Sequence, residues 1–259
     1  MTRKFYLTIF LTGLVVPWLL CSCGSRKSTD ELLNQAFKEA HDSNWKVALE
    51  LAEKAAKRDE RNISAQVMYG IALEHAGNTD EALQVFRQAV KTDPENFYGQ
   101  YHLGRVLYQK GKFEDSLEPL RQAERLRPDD ANTLVLLAQI ENKMKLDSAI
   151  GYYKKLAVHK RFERKPEPWV QIGLIYAGKR DFATAGKCFV LAYGVAPDDY
   201  IVVYNMALFN DYYSGSTAAR KNSVQFYRRY LQLTSTNAEL EAQRNEVTAR
   251  IKAILKMKL

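Results

Sequence analysis

The sequence predicts an all-α protein, an α-solenoid of about six helical hairpins closed by a C-terminal capping helix. Three observations predict it. Turn and stop residues recur in phase: Pro94 and Pro128, Gly70 and Gly104, and Gly77 and Gly111 each stand 34 residues apart. Between them apolar residues recur at three and four spacing, the period of an amphipathic helix. A content of 46% hydrophobic and 26% charged residues is that of a globular chain, not a disordered one. A fixed period in this range marks stacked helix pairs that bury a core only by packing on their neighbours.

Residues 1–22 read as an export signal that stands outside the fold. Arg3 and Lys4 form a basic start, and an apolar run follows from Phe5 to Leu20. The run is short for a membrane span and leads into small residues suited to cleavage. Its end, Leu20-Cys21-Ser22-Cys23, resembles the bacterial lipobox. That resemblance implies that Cys23 becomes the lipidated first residue of the mature chain. Cys21 fits less well, because bulky Leu20 would precede the cut. With Cys23 acylated, Cys188 stands alone and no internal disulfide is available. Its apolar helical setting beside Phe189 and Val190 makes it a buried, inert thiol. Residues 23–29 are then the lipidated Cys and a short tether, of which 24–29 span about 20 Å at full extension, which keeps the array close to a bilayer. Gly24 stands where lipoproteins retained in the inner membrane often carry Asp, so the resemblance favours the outer membrane.

Six repeats follow over residues 30–236. Repeat 2 (63–96) is the most regular. One helix runs through Val67, Tyr69, Gly70 and Leu73, Gly77-Asn78 makes the turn, and a second helix runs through Ala82, Leu83, Phe86 and Ala89 to Asp93-Pro94. Gly at a helix end and Pro beyond the next are stop signals. Repeat 3 (97–130) matches with Leu103, Gly104, Leu107, Gly111, Phe113, Leu120, Ala123 and Pro128. Repeat 5 (166–199) matches with Trp169, Gly173, Tyr176, Phe182, Ala185, Phe189, Ala192 and Pro197. This pattern resembles the tetratricopeptide repeat.

The other copies depart from it. Repeat 1 (29–62) keeps Ala36, Trp45, Ala48 and Ala55 but has Glu60 where the proline belongs. Repeat 4 (131–165) keeps Ala138, Ala149, Tyr153 and Leu156, loses a residue at its turn and leaves by a basic stretch. Repeat 6 (200–236) keeps Met206 and Ala207 and expands its turn over residues 213–217. Residues 237–259 read as a capping helix with Leu240, Val247, Ile251 and Leu255 on one face. An exposed array end needs such a polar-backed cap.

Signals of catalysis are weak. Gly99-x4-Gly104-Arg105 echoes a phosphate-binding loop but lacks its Lys-Ser/Thr end. HExxH, CxxC and GxSxG do not occur. His41 and His75 are one period apart without a carboxylate cluster to complete a metal site. The sequence therefore assigns no catalytic residue, cofactor or metal.

The family resemblance implies instead a protein or peptide partner held in a concave groove lined by the first helix of each hairpin. Helical spacing selects Tyr98, Tyr101, Arg105 and Tyr108 in repeat 3. It adds Val135, Gln139 and Asn142 in repeat 4, Val170 and Leu174 in repeat 5, and Tyr204, Asn205, Leu208 and Asp211 in repeat 6. Tyr and Arg tend to dominate binding energy at interfaces. The same tyrosines could equally fill the narrow inner curve. A basic patch, Lys154, Lys155, Lys160, Arg161, Arg164 and Lys165, has Glu163 as its only local counter-charge. It is either a solvated loop or a contact for anionic headgroups or an acidic partner. Net charge is +8, but an exported protein does not meet nucleic acid.

These readings together describe a lipid-anchored scaffold of the bacterial cell envelope. Similar architectures include pilotins of pilus secretins, lipoproteins that assist outer-membrane protein assembly, and adaptors that regulate cell-wall enzymes.

Overall fold

A computed structural model describes residues 27–213 and 216–257. The expected signal segment and Cys23 lie outside the described residues. Among the described residues there are thirteen α-helices and no strand, as the fold class requires. They form six hairpins: α1 (Thr29–His41) with α2 (Trp45–Arg58), α3 (Ile63–His75) with α4 (Thr79–Thr92), and α5 (Phe97–Gln109) with α6 (Phe113–Leu126). The array continues with α7 (Ala131–Lys143) and α8 (Ala149–Val158), α9 (Glu167–Gly178) and α10 (Phe182–Val195), and α11 (Tyr200–Leu208) and α12 (Thr217–Leu233). The last helix, α13 (Glu241–Lys256), packs on α12.

Local chemistry sets where the helices begin and end. Ser28, Asn62, Asn96 and Asp130 recur at the 34-residue interval, and each accepts a hydrogen bond from the backbone N–H three residues on. These side chains satisfy donors that a helix start leaves orphaned. Ser28 and Glu31 cap reciprocally, with Glu31 accepting from the Ser28 N–H at 2.7 Å. Within the hairpins the chain turns through a left-handed residue: Ser43, Gly77, Gly111, Lys145 or Arg180. The following N–H then reaches back to close the helix, as Asn78 does to the Leu73 carbonyl at 2.9 Å. Gly77, with φ of 84°, adopts this geometry without the steric cost that a side chain brings.

The period is held by close contact between the two helices of a hairpin. A Cβ on Gly70 would lie 2.5 Å from Cε1 of Phe86, and one on Gly104 would lie 2.5 Å from Cγ of Leu120. One on Gly173 would lie 2.6 Å from Cε1 of Phe189. A small residue on the first helix thus admits a large one from the second. Full burial of Phe86 contributes roughly 2–3 kcal/mol. Ala36, Ala138 and Ala207 take the small position in the other repeats, all without solvent exposure.

Two expectations about the repeats are corrected. Repeat 4 keeps its full turn, since Lys145 stands one period after Gly111 in the same left-handed conformation. The departure lies after the turn: α8 has only 10 residues and passes into a 3₁₀ turn, Lys160–Phe162. In repeat 6 the expansion starts earlier than residue 213, because α11 runs on into a π-helical segment, Phe209–Tyr213. One residue more per turn rotates Asp211 inward, to 2% exposure, instead of leaving it on the groove face.

Asp211 is there to meet the cap. Arg250 of α13 clamps it with Nε to Oδ2 at 2.7 Å and Nη2 to Oδ1 at 2.6 Å. The Tyr227 hydroxyl donates to the same Oδ2 at 3.0 Å, and Arg220 Nε donates to the Asp211 carbonyl at 3.2 Å. Burial beside this carboxylate pushes the Tyr227 hydroxyl well above the usual phenol range. The cap buries Val247, Ile251 and Ile254, while Leu255 is 62% exposed. The inward row therefore steps from 251 to 254, not to 255, because α13 must also present Arg250 to Asp211.

Breaking a buried, bidentate pair leaves an uncompensated charge and costs about 3–5 kcal/mol. Arg250→Ala should therefore lower hydrogen-exchange protection throughout α13 while α3 to α6 keep theirs. Unchanged protection at Val247, Ile251 and Ile254 would show that apolar packing alone seats the cap.

Candidate partner-binding groove

The first helices of successive hairpins approach one another along the array, α1 to α3, α3 to α5 and α5 to α7. This places them on the inside of its curve. A hollow on that side spans α5, α7 and α9 and holds about 690 Å³. Tyr101 and Tyr108 come from α5, Val135, Gln139, Asn142 and Lys143 from α7, and Glu167 and Gln171 from α9. Tyr153 and Leu156 of α8 form part of its floor. Arg161 and Phe162 of the 3₁₀ turn close one end.

One residue of the basic patch, Arg161, thus reaches the groove. Arg161 Nη1 donates to Oδ1 of Asn132 at 2.6 Å, which anchors the loop on α7. Its guanidinium and the Lys165 ammonium lie 6.0 and 5.2 Å from the Phe162 ring, within cation–π range. Across the hollow the Tyr108 hydroxyl donates to Gln139 Oε1 at 3.2 Å. Burial raises the Tyr101 and Tyr153 hydroxyls above the usual phenol range, so they stay protonated and able to donate. Phenols and carboxamides of this kind can both donate and accept, which suits the alternating groups of a polypeptide backbone.

The remaining residues selected from the sequence are placed otherwise. Tyr98 is 50% exposed and lines a separate hollow with Phe37, Val67 and Ile71. Leu174 lines a neighbouring hollow that shares only Asn142 with the main groove. Tyr204 faces the cap, packed against Tyr230 with ring centroids 5.0 Å apart. Asn205 is a correction: it is buried, and its amide donates to the Ile201 carbonyl at 2.8 Å. Val170 is likewise core, at 3% exposure. Val170 shares the register of Tyr101 and Val135, three residues before the small position, but it packs in a core cluster with Val202 of α11. Asn132 and Gln171 were missed; Asn132 extends the Val135, Gln139, Asn142 stripe by one turn at the same spacing.

Arg105 is a strut between helices and not a bare groove cation. Its Nη2 donates to Glu74 Oε2 of α3 at 2.6 Å and to His102 Nδ1 at 3.1 Å. A guanidinium can only donate, so Nδ1 accepts and the His102 ring is neutral. Burial, reinforced by the Arg105 charge, lowers its pKa to about 3. Burial also raises the Glu74 carboxyl, against the pull of Arg105. His75, the one-period partner of His41, stacks face to face on Trp45 at 3.4 Å.

Within the basic patch, Lys155 pairs with Glu124 of α6 at 2.5 Å, so Glu163 is not the only counter-charge. Lys154, Lys160 and Arg164 are exposed. Cys188 is 5% exposed, and burial pushes its thiol up. Among the described residues no group of three or more His, Cys, Asp or Glu is placed to hold a metal ion. No described helix is long and apolar enough to cross a membrane.

Tetratricopeptide repeat models match residues 42–97, 77–131, 101–166 and 166–199, more than half of the chain. The chain belongs to the tetratricopeptide repeat family. Among solved structures it is similar to the C-terminal part of a TPR repeat-containing protein from Cytophaga hutchinsonii, with a TM-score of 0.70, 16% identity, and 87% of this chain and 90% of that one covered. It is also similar to PilF of Pseudomonas aeruginosa, with a TM-score of 0.63, 16% identity and coverage of 85% and 96%. YrrB, described as a TPR protein with an unusual peptide-binding site, superposes at a TM-score of 0.62 with 15% identity and coverage of 75% and 97%. These likenesses establish the fold. None of the curated proteins matches the chain. TPR proteins are generally non-catalytic scaffolds that bind protein or peptide partners, and this TPR array is suited to protein–protein interaction.

The neutral state of His102 has a consequence for stability. Its folded pKa, near 3, lies below the unfolded value of about 6.5, so the unfolded chain binds the extra proton. The stability is fully present above pH 6.5 and is lost as pH falls from there toward 3. At pH 5.5 the loss is about 1.4 kcal/mol, before Glu74 titrates with the opposite sign. Urea unfolding should show His102→Gln losing less stability than the parent between pH 7 and 5.5. Equal slopes would mean that His102 takes up its proton in the folded array.

Proposed function

We propose that this protein is a membrane-anchored scaffold that holds an extended segment of a partner protein in the groove between α5, α7 and α9. The observation that carries this reading is the hollow of about 690 Å³ lined by Tyr101, Tyr108, Gln139, Asn142 and Gln171 and closed by Arg161. Its carboxamides and phenols stand at helical intervals along the inner face, where they can pair with successive peptide groups. Arg161, held at the start of α7, and Lys143, at its end, put a positive charge at either edge of the hollow, where an acidic side chain of the segment can pair. A peptide-binding site is also what the description of the structurally similar YrrB records for that protein.

The lipobox-like ending at Cys23 supports anchoring. A lipidated chain would confine the groove to a layer beside the bilayer and raise its effective concentration toward envelope partners. The expected location is the bacterial envelope, with the outer membrane favoured by Gly24.

The groove is tested by a photoreactive residue in place of Gln139, with one at Gln84 on the outer surface of α4 as control. The inner position should give a discrete adduct with a partner. Adding Gln171→Ala and Arg161→Ala, both off the core, should reduce that adduct about fivefold to a hundredfold, given about 0.5–1.5 kcal/mol for each lost hydrogen bond. Identical adducts from both positions, or no effect of the substitutions, would remove the groove as the site.

The anchor is tested separately. Cys23→Ala should move the protein from the membrane fraction to the soluble fraction and abolish labelling by a palmitate analogue. Unchanged labelling would refute lipidation at this residue.

A further inference from the structure

The outer surface of the array is not uniform along its length. Its own repeats provide the comparison. The outer helices of the first half, α2, α4 and α6, carry eight acidic and eight basic residues. Those of the second half, α8, α10 and α12, carry no Asp or Glu and seven Lys or Arg. The three are neighbours in space. Tyr153 and Leu156 of α8 share a core cluster with Cys188 of α10, and Tyr193 of α10 packs edge-on against Phe226 of α12 at 5.6 Å.

The pattern sharpens at one level of these helices. The two residues after the buried landmark of each second helix point outward. In α2, α4 and α6 they are Glu53-Lys54, Arg87-Gln88 and Arg121-Gln122, and in α8 and α12 they are Lys154-Lys155 and Arg228-Arg229. In α10 alone the pair is apolar: Val190 is 57% exposed and Leu191 is 48% exposed. Ala183 and Gly194 extend this face and Lys187 is its only charge. Lys155 is partly neutralised by Glu124, and Arg229 by Asp198 at 2.6 Å. Lys154, Lys187 and Arg228 have no ion pair among the described residues.

We infer that the outer face of α8, α10 and α12 docks on an anionic phospholipid bilayer. Two exposed aliphatic side chains between flexible cations are the composition of an interfacial surface, where apolar groups dip below the headgroups and Lys and Arg meet the phosphates. An acidic protein partner fits less well. A stable protein interface buries about 800 Å² on each side around an apolar core, and Val190 with Leu191 makes too small a core for that. A convex surface also meets a bilayer through a few crest helices, which is what this face offers. The groove would then open away from the lipid. This inference is independent of what the groove holds.

Flotation of the full-length protein tests it, with vesicles of phosphatidylcholine alone and of phosphatidylcholine containing about a third phosphatidylglycerol. The N-terminal segment is the same in every sample, so differences between the variants on one vesicle type report the outer face. Phosphatidylglycerol should raise binding, and high salt should reverse the gain as headgroup charges are screened. Lys154→Glu with Arg228→Glu, and separately Val190→Ser with Leu191→Ser, should each weaken the phosphatidylglycerol-dependent binding by roughly tenfold or more. All four residues are surface positions, and unchanged circular dichroism would confirm that the variants fold. Equal binding to both vesicles would overturn the inference. So would an equal loss on the control reversals Lys54→Glu with Arg87→Glu. Dimerisation in sedimentation that Val190→Ser with Leu191→Ser abolishes would assign the face to a second copy of the chain instead.

Discussion

The close crossing of the two helices within each hairpin is the constraint on which the rest of the structure depends. At Gly70, Gly104 and Gly173 the backbone of the first helix comes so near the second that Phe86, Leu120 and Phe189 occupy the space of a Cβ. That contact fixes how far each hairpin opens. The opening fixes how the next hairpin seats, and the repeated seating sets the curve that brings α5, α7 and α9 around one hollow. Interiors packed at crystalline density transmit such constraints with little slack.

The array is regular where it needs only to stack and irregular where it does something else. Repeat 4 shortens its second helix and spends the residues on a 3₁₀ turn that places Arg161 and Phe162 at the groove. Repeat 6 inserts a π-helical segment that turns Asp211 into the interior for Arg250 of the cap. Each departure moves one charged side chain to a place the standard hairpin cannot reach. Insertions of this kind often accompany function in helices.

Charge is divided along the array as well. Inside the curve it is mostly cancelled: Arg105 is held by Glu74, and the neutral His102 beside them accepts a hydrogen bond instead of adding a charge. Outside the curve the helices of the first half are balanced, and those of the second half, α8, α10 and α12, carry only basic charges around Val190 and Leu191. The same repeat therefore presents a nearly neutral, hydrogen-bonding inner face and a charged outer one. The two faces can meet chemically different surfaces at once.

The fold class was legible in the sequence because it rests on local signals. The recurrence of Gly77 and Gly111 marks turns, Pro94 and Pro128 mark helix stops, and apolar residues at three and four spacing mark the buried stripe. Each acts within a few residues of itself, so each survives in a linear reading. Half of the groove was legible for the same reason, since Tyr101, Tyr108, Gln139 and Asn142 follow helical spacing. What only the tertiary structure decided is which side chains meet across repeats. Arg105 and Glu74, Arg250 and Asp211, and Arg161 and Asn132 are each 29 to 39 residues apart. Helical spacing names the face a residue occupies, but the ion pair that removes a charge from that face depends on the packing of neighbouring hairpins. For the same reason Asn205 was read as groove and is core: it holds the register of Gln171, two residues before the small position, yet Gln171 lines the hollow and Asn205 is buried, because what covers a helix face depends on the elements packed around it.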